Sequence, residues 1–252
     1  MSAESVRLLH ISDPHLHAHR DARMRGLNTY ESFKSVLEHA RNSGRQPDAV
    51  IATGDLVQDE TRQGYQRFRE LTEPLKVPVH CIPGNHDAPS IMSEMLNEPP
   101  FQFCGNAVYD NWCLLMLNTA MKWNECGNLE QEQLESLEHS LNEHSGRHVM
   151  ICMHHHPIPM GSHWLDGIGL QNNAAFLDIV DRHNNVRCIA WGHVHQASDR
   201  LRQDIRMLST PSTGAQFLPE SDTFMIDTKP AGYRWLELHP DGTIDTEVIW
   251  IG

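Results

Sequence analysis

An α/β fold, with two packed sheets flanked by helices and a mainly antiparallel closing section, is predicted by three observations. Short apolar runs of strand length alternate with helix-like segments over most of the chain. Five of those runs stop abruptly at Asp, Asn or His residues, and after Trp191 the texture changes to strand-like runs joined by turns. No linker, low-complexity tract or internal repeat interrupts the 252 residues, so residues 1–252 are read as one domain.

Val6–Ile11 is the first strand, broken by Ser12-Asp13-Pro14-His15. Asn28 and Glu31 form a capping-box pattern ahead of a helix with Tyr30, Phe33, Leu37 and Ala40 on one face. Ala49–Thr53 is a strand ending at Gly54, Glu60–Glu73 a helix, and Val79–Ile82 a strand ending at Pro83-Gly84. Trp112–Leu117 opens the second half, and a second capping pattern, Asn128 with Gln131, starts a helix reaching about Glu143. Strands Val149–Met153 and Val186–Trp191 enclose a helix near Ala174–His183. Leu201–Leu208, Tyr233–Leu238 and Thr243–Trp250 complete the strands, the last two joined at Pro240-Asp241-Gly242.

The composition narrows the function. A formal charge of −13 without a dense Lys/Arg patch disfavours long nucleic acids, which need a basic surface to displace counterions. No apolar run is long enough to span a membrane, and the start Met1-Ser2-Ala3-Glu4 has neither the basic nor the apolar part of an export signal. Six cysteines without CxxC spacing, three of them in apolar runs, read as reduced buried thiols of a cytoplasmic protein. No obligatory protein partner is expected. Eighteen histidines are the unusual entry, and their placement carries the chemistry.

Asp13 and His15 follow the first strand, Asp55 the second, and Asn85, His86 and Asp87 the third. His154 follows Val149–Met153, and His193 with His195 follow Val186–Trp191. Carboxyl ends of strands in open α/β sheets converge on one crevice, so five distant segments deliver their polar groups to one place. Each segment alone has an ordinary explanation as a turn or a helix cap; all five in series do not. Carboxylate, imidazole and amide donors together suit Fe, Mn, Co or Zn rather than Ca or Mg alone. Seven candidates, Asp13, His15, Asp55, Asn85, His154, His193 and His195, exceed the ligand set of one catalytic metal and divide between two, with one carboxylate bridging. Two cations about 3.5–4 Å apart can hold a phosphate and acidify water.

These blocks resemble the calcineurin-like metallophosphoesterase superfamily from about Val6 to His195. They resemble more narrowly the class III cyclic-nucleotide phosphodiesterases, the bacterial cAMP phosphodiesterase group. The narrower likeness rests on Leu9-His10-Ile11-Ser12-Asp13-Pro14-His15-Leu16, Ala52-Thr53-Gly54-Asp55-Leu56-Val57-Gln58-Asp59 and Met153-His154-His155-His156-Pro157-Ile158-Pro159. It continues through Trp164-Leu165-Asp166, Gly192-His193-Val194-His195-Gln196, Thr210-Pro211-Ser212-Thr213 and Gly232-Tyr233-Arg234-Trp235-Leu236-Glu237-Leu238. The resemblance implies a four-layer α-β-β-α sandwich with two mixed sheets. It implies a first metal held by Asp13, His15 and His195, a second by Asn85, His154 and His193, and Asp55 bridging. Iron or manganese leads, with cobalt or zinc as alternatives.

The implied reaction is hydrolysis of a 3′,5′-cyclic nucleotide, cAMP first, by in-line attack of a hydroxide held between the metals. The substrate phosphate is expected against His15, Asn85, His86 and His195. Since Asn85 is a ligand, its neighbour His86 is assigned to the phosphate, stabilising charge and protonating the leaving ribose oxygen. Asp87 is either the carboxylate that orients His86 or a turn-stabilising acceptor. His155 and His156 line the substrate site or pack beside Pro157; Asp59 supports its loop; His17 and His19 are expected at the surface. Met160–Gln171 is either a flap over a purine or an ordinary loop. The alternatives are another small phosphodiester (a 2′,3′-cyclic nucleotide or glycerophosphodiester), a phosphomonoester, or a non-catalytic platform of the same fold.

Overall fold

The computed structural model describes residues 4–252; Met1–Ala3, part of the start at which no export signal is expected, lie outside them. One six-stranded sheet runs in the order β14 (Ile244–Ile251), β13 (Ala231–Leu238), β1 (Val6–Ile11), β4 (Ala49–Thr53), β5 (Val79–Ile82) and β6 (Phe101–Phe103). The other runs β11 (Ser198–Arg202), β12 (Ile205–Ser209), β10 (Val186–Trp191), β9 (His148–Met153), β8 (Trp112–Met116) and β7 (Gly105–Tyr109). The sheets share one plan. β1, β4, β5 and β6 are parallel in the first, as are β12, β10, β9 and β8 in the second, and the remaining pairings are antiparallel.

Alternation along the strands explains the layering, because successive side chains point to opposite faces. Leu9, Ile11, Val50 and Ala52 meet Phe33 and Leu37 of α1 (Thr29–Asn42), Tyr65 and Phe68 of α2 (Arg62–Thr72) and Met92 of α3 (Pro89–Met95). Val149, Ile151 and Met153 meet Leu137 and Leu141 of α4 (Gln131–Glu143) and Phe176 and Val180 of α6 (Asn173–Asp181). The alternate residues, including Leu8, Ile51, Ile82, Trp112, Met150, Cys152 and Ala190, fill the space between the sheets. A four-layer α-β-β-α sandwich results. Each fully buried Leu or Ile contributes roughly 1.5–3 kcal/mol relative to exposure, so this central layer locks the two sheets together.

Several elements differ from the sequence expectation. The run Leu201–Leu208 is two strands, β11 and β12, paired Arg202 to Ile205 around a tight turn in which Gln203 takes a left-handed φ of +53°. No glycine or proline marks that turn, which is why it reads as continuous strand. The capping box of α4 is Glu130 with Gln133, not Asn128 with Gln131. At α1 the Asn28 cap does form, accepting from the Glu31 N–H at 3.0 Å. The hairpin of β2 (Arg23–Met24) and β3 (Leu27–Asn28), helix α3, strands β6 and β7, and the single turn α5 (His163–Asp166) were not foreseen. Each is short or built largely of polar residues, so periodicity is silent there.

All six cysteines are free, with Cys81, Cys152 and Cys188 buried as expected. Among the described residues no helix is long and apolar enough to cross a membrane.

Candidate metal centre

Because β1, β4 and β5 run parallel in one sheet and β9 and β10 in the other, their carboxyl ends reach one edge of the sandwich. The loops beyond them are stitched together there. Asp13 N–H donates to Gly54 O and His15 N–H to Asp55 O, both at 3.0 Å. Across the sheets, His154 Nδ1 donates to Thr53 O at 2.7 Å, and the His193 N–H to the Asp13 carboxylate at 3.1 Å.

This convergence strains the backbone. Asp13, His15, Asp55, His193 and His195 all lie at positive φ, between 45° and 65°. Non-glycine residues rarely adopt this conformation, and such outliers persist where the surrounding structure over-determines them, as at ligand-binding sites. Two glycines make the approach feasible. A Cβ on Gly84 would collide with the Asp55 carboxylate, and one on Gly192 with Ser12 Oγ and, at 2.7 Å, with Thr53 O.

All seven expected ligands come together, in two groups that meet at Asp55. In the first, His15 Nε2 lies 3.1 Å from His195 Nε2, which is 3.4 Å from Asp13 Oδ1. In the second, His154 Nε2 lies 3.1 Å from both His193 Nδ1 and Asn85 Oδ1. Asp55 Oδ2 stands between them, 3.7 Å from His15 Nε2 and 3.5 Å from His154 Nε2.

The donor chemistry fits metal ions. Each of the four imidazoles has its other nitrogen committed: His154 to Thr53 O, His193 to Ile168 O, His195 to Ala215 O and His15 to Gln58 Oε1. In the neutral form of each ring, an oxygen acceptor places the proton on the outer nitrogen and leaves the inner nitrogen with a lone pair. Two pairs of such nitrogens face one another at 3.1 Å, an arrangement that repels unless a proton or cation lies between. Asp13 and Asp55 are buried carboxylates, and among the described residues their ion pairs are all with histidines, none with Lys or Arg. Buried charges demand compensation, and two cations would supply it.

The electrostatics point the same way. Burial alone would raise the Asp13 and Asp55 carboxyls; His195 beside Asp13 and His154 beside Asp55 outweigh it and hold both below the ordinary carboxylate value. Burial opposes charge on His154 too, yet Asp55 and Asp13 push it up to about 9. Burial lowers His15 to about 4 and, with three neighbouring imidazoles, lowers His193 well below its ordinary value.

His86 sits at the mouth, partly exposed, grouped with His15 and Asp55. Of the two roles expected for Asp87, the loop-stabilising acceptor is the one observed. The Asp87 carboxylate accepts from the N–H groups of Gly84, Leu56 and Val57 and from the Tyr65 hydroxyl, all within 3.1 Å, so its oxygens are committed to the loop. Burial and the Asp55 charge push Asp87 up to about 7 while those N–H groups pull it back. The side chain that bonds the His86 ring is Gln58, whose Nε2 donates to His86 Nδ1 at 3.0 Å. Its Oε1 accepts from His15 Nδ1 at 2.7 Å. Gln58 was not singled out from sequence; its place three residues after Asp55 was the available signal. Phe217, also missed, stacks on His195 at 3.9 Å between ring centroids.

Asp59 accepts from Ala18 N–H and Thr61 Oγ1 and supports its loop. His155 is fully buried between Thr119 and Gly127, grouped with His154 and His193, while His156 stacks near His193. His19 is exposed, whereas His17 is half-buried, 3.9 Å from Asp59. Met160–Gln171 is tied to the site through the Ile168 carbonyl, and its Trp164 packs on Phe217.

A four-layer sandwich carrying nitrogen–oxygen donor sets at the ends of its parallel strands is the architecture of a metal-dependent phosphoesterase. The model of the calcineurin-like phosphoesterase family matches residues 6–197, and the chain belongs to that family. Among its relatives, it is 37% identical to the 3′,5′-cyclic adenosine monophosphate phosphodiesterase CpdA of Pseudomonas aeruginosa, over 97% of this chain and 89% of that one. The protein of the same name from Haemophilus influenzae is 38% identical over 96% and 89% of the two chains. The fold is shared with a dimetal phosphatase from Danio rerio, at a TM-score of 0.69 and 13% identity, covering 99% of this chain and all of that one.

Proposed function

We propose that the chain, acting as one domain, hydrolyses 3′,5′-cyclic nucleotides, cAMP first, at a centre of two transition-metal ions. Asp13, His15 and His195 would hold one ion, Asn85, His154 and His193 the other, and Asp55 both. The observation that carries this is the pair of facing nitrogen sets joined at Asp55 Oδ2, with the His86 ring beside His15 and Asp55 at the partly exposed rim. The substrate follows from the relatives named for cAMP hydrolysis at 37–38% identity over nearly the whole chain.

When bound, the metals would neutralise phosphate charge and make water nucleophilic near neutral pH. The mixed imidazole, carboxylate and amide donors favour iron or manganese, then cobalt or zinc. The chain's own residues do the rest. Asn85, His15 and His195 bound the space in which the phosphate lies. Gln58 donates to Nδ1 of His86, which places the remaining imidazole proton on Nε2. That proton is available to the oxygen leaving phosphorus: the P–O3′ bond breaks as the bond to the water oxygen forms, O3′ takes the Nε2 proton from His86, and the ring regains a proton given up by the attacking water. Asp87 acts through the loop, holding Gly84, Leu56 and Val57 so that Asp55 and His86 are presented together. Six free cysteines are in keeping with a cytoplasmic protein.

The test is turnover of a panel of 3′,5′- and 2′,3′-cyclic nucleotides, a glycerophosphodiester and a phosphomonoester by metal-reconstituted protein, with Asn85→Ala as control. Fastest turnover of cAMP, lost in the control, is expected. Preference for another member of the panel would replace the substrate, and stoichiometric metal without turnover would leave a binding platform.

A further inference from the structure

Two cavities of similar size flank the centre. One, about 390 Å³, is lined by Asn85, Ala88, Met121, Lys122 and Trp123. The other, about 380 Å³, is lined by His15, His17, Met24, Arg25, His86 and Phe217. Both are large enough for a nucleoside by the usual size of ligand pockets. Which one takes it is decided by the proton donor. In a 3′,5′-cyclic diester the leaving O3′ stays on the ribose, so in-line displacement puts the nucleoside on the leaving-group side of phosphorus. His86 lines the second cavity and not the first.

We propose that the second cavity is a nucleobase subsite, with Met24, Arg25 and Phe217 as its base-contacting wall. It rests on the cyclic-nucleotide function above and extends it to residues that neither the metal centre nor the family motifs use.

The wall has the chemistry a purine requires. Phe217 is held by stacking on His195, with 4° between the rings, so an aromatic group is fixed directly beside the centre. The Arg25 guanidinium lies over the Phe224 ring, 4.5 Å from its centroid, and Phe224 packs edge-on against Phe217. A guanidinium held against an aromatic ring presents a plane on which a base stacks. Met24 adds a polarizable thioether on the same hairpin, which Arg23 braces by donating to Gly26 O at 2.9 Å. On a chain of formal charge −13, Arg23 and Arg25 also give this side a local positive field suited to an anionic nucleotide.

The experiment compares binding of AMP and ribose 5-phosphate by calorimetry, with cAMP turnover measured in parallel. Wild-type protein is expected to bind AMP about tenfold more tightly, the base being the sole difference. Met24→Ser and Arg25→Ala should each cut that margin at least threefold and raise KM for cAMP with little change in kcat. Met24→Ser should leave ribose 5-phosphate binding unchanged, since that ligand carries no base. Trp123→Ala, in the opposite cavity, should leave the margin intact. An undiminished margin in both hairpin variants, or its loss in Trp123→Ala, would overturn the subsite. A margin that obeys these expectations in a protein unable to hydrolyse cAMP would support the subsite and remove the substrate assignment alone.

Discussion

Gln58 reaches His86 with one end of its amide and His15 with the other, spanning 3.0 Å to the first ring and 2.7 Å to the second. A single neutral side chain therefore sets the proton position on a proposed metal ligand and on the proposed proton donor. Gln58→Ala is expected to lower kcat for cAMP about 10–100-fold, the usual scale for a group that orients a ligand or catalytic residue. The loss should be smaller, by at least about tenfold, for bis(p-nitrophenyl) phosphate, because nitrophenolate leaves without a proton. Equal losses on both substrates would place the whole effect at His15.

Among the described residues, Asp55 is the one carboxylate within 3.7 Å of both facing nitrogen sets. Asp55→Asn keeps the size of the side chain and removes the charge that two cations would share. Metal analysis of the purified variant should find no more than one ion per chain where the wild type holds two, with kcat reduced by more than about 100-fold. Two ions retained in the variant would show that Asp55 does not bridge.

Removal of metal should also be visible in stability. With the cations gone, Asp13 and Asp55 have, among the described residues, only histidines as ion-pair partners in their buried setting. A ligand present at a hundred times its Kd stabilises by about 2.7 kcal/mol. At about 2–4 °C per kcal/mol for a chain of this size, chelation is expected to lower Tm by roughly 5–10 °C, and manganese or iron to restore it. An unchanged Tm after complete chelation would show that the ions do not compensate these charges.

His10, buried between the sheets, bonds Thr53 Oγ1 through Nε2 at 2.9 Å. Burial, reinforced by Arg234, lowers it to about 3 in the folded protein from an ordinary 6.5. The unfolded chain therefore binds more protons between those values, so stability falls as pH drops from about 6.5 toward 3. Urea unfolding at pH 6.5 and pH 5 should show wild type losing roughly 2 kcal/mol more than His10→Asn, from about 1.4 kcal/mol per pH unit. Parallel losses in the two proteins would place the acid sensitivity elsewhere.

Much of this molecule was legible without coordinates because its chemistry sits at the ends of strands that periodicity locates well. Ala49–Thr53, Val79–Ile82 and Val186–Trp191 fall where the sequence predicts them, and the ligand residues that follow keep their order. The short hairpin Arg23–Asn28 escaped because its strands are two residues each and carry no apolar rhythm, although Gly26 marks its turn; the β11–β12 turn escaped because it has no glycine.

From sequence alone came the α/β layering and the seven candidate donors, because apolar alternation and residue type are local properties of the chain. Tertiary structure decided the partners. Asp87 is adjacent to His86 in sequence yet gives its oxygens to three backbone N–H groups and Tyr65, while Gln58, twenty-eight residues earlier, takes the imidazole. Phe217 reaches His195 by the same route, through folding of a segment with no motif of its own. Hydrogen-bond direction and ring contact depend on where parallel strands deliver their loops, and no local pattern in the chain encodes that meeting.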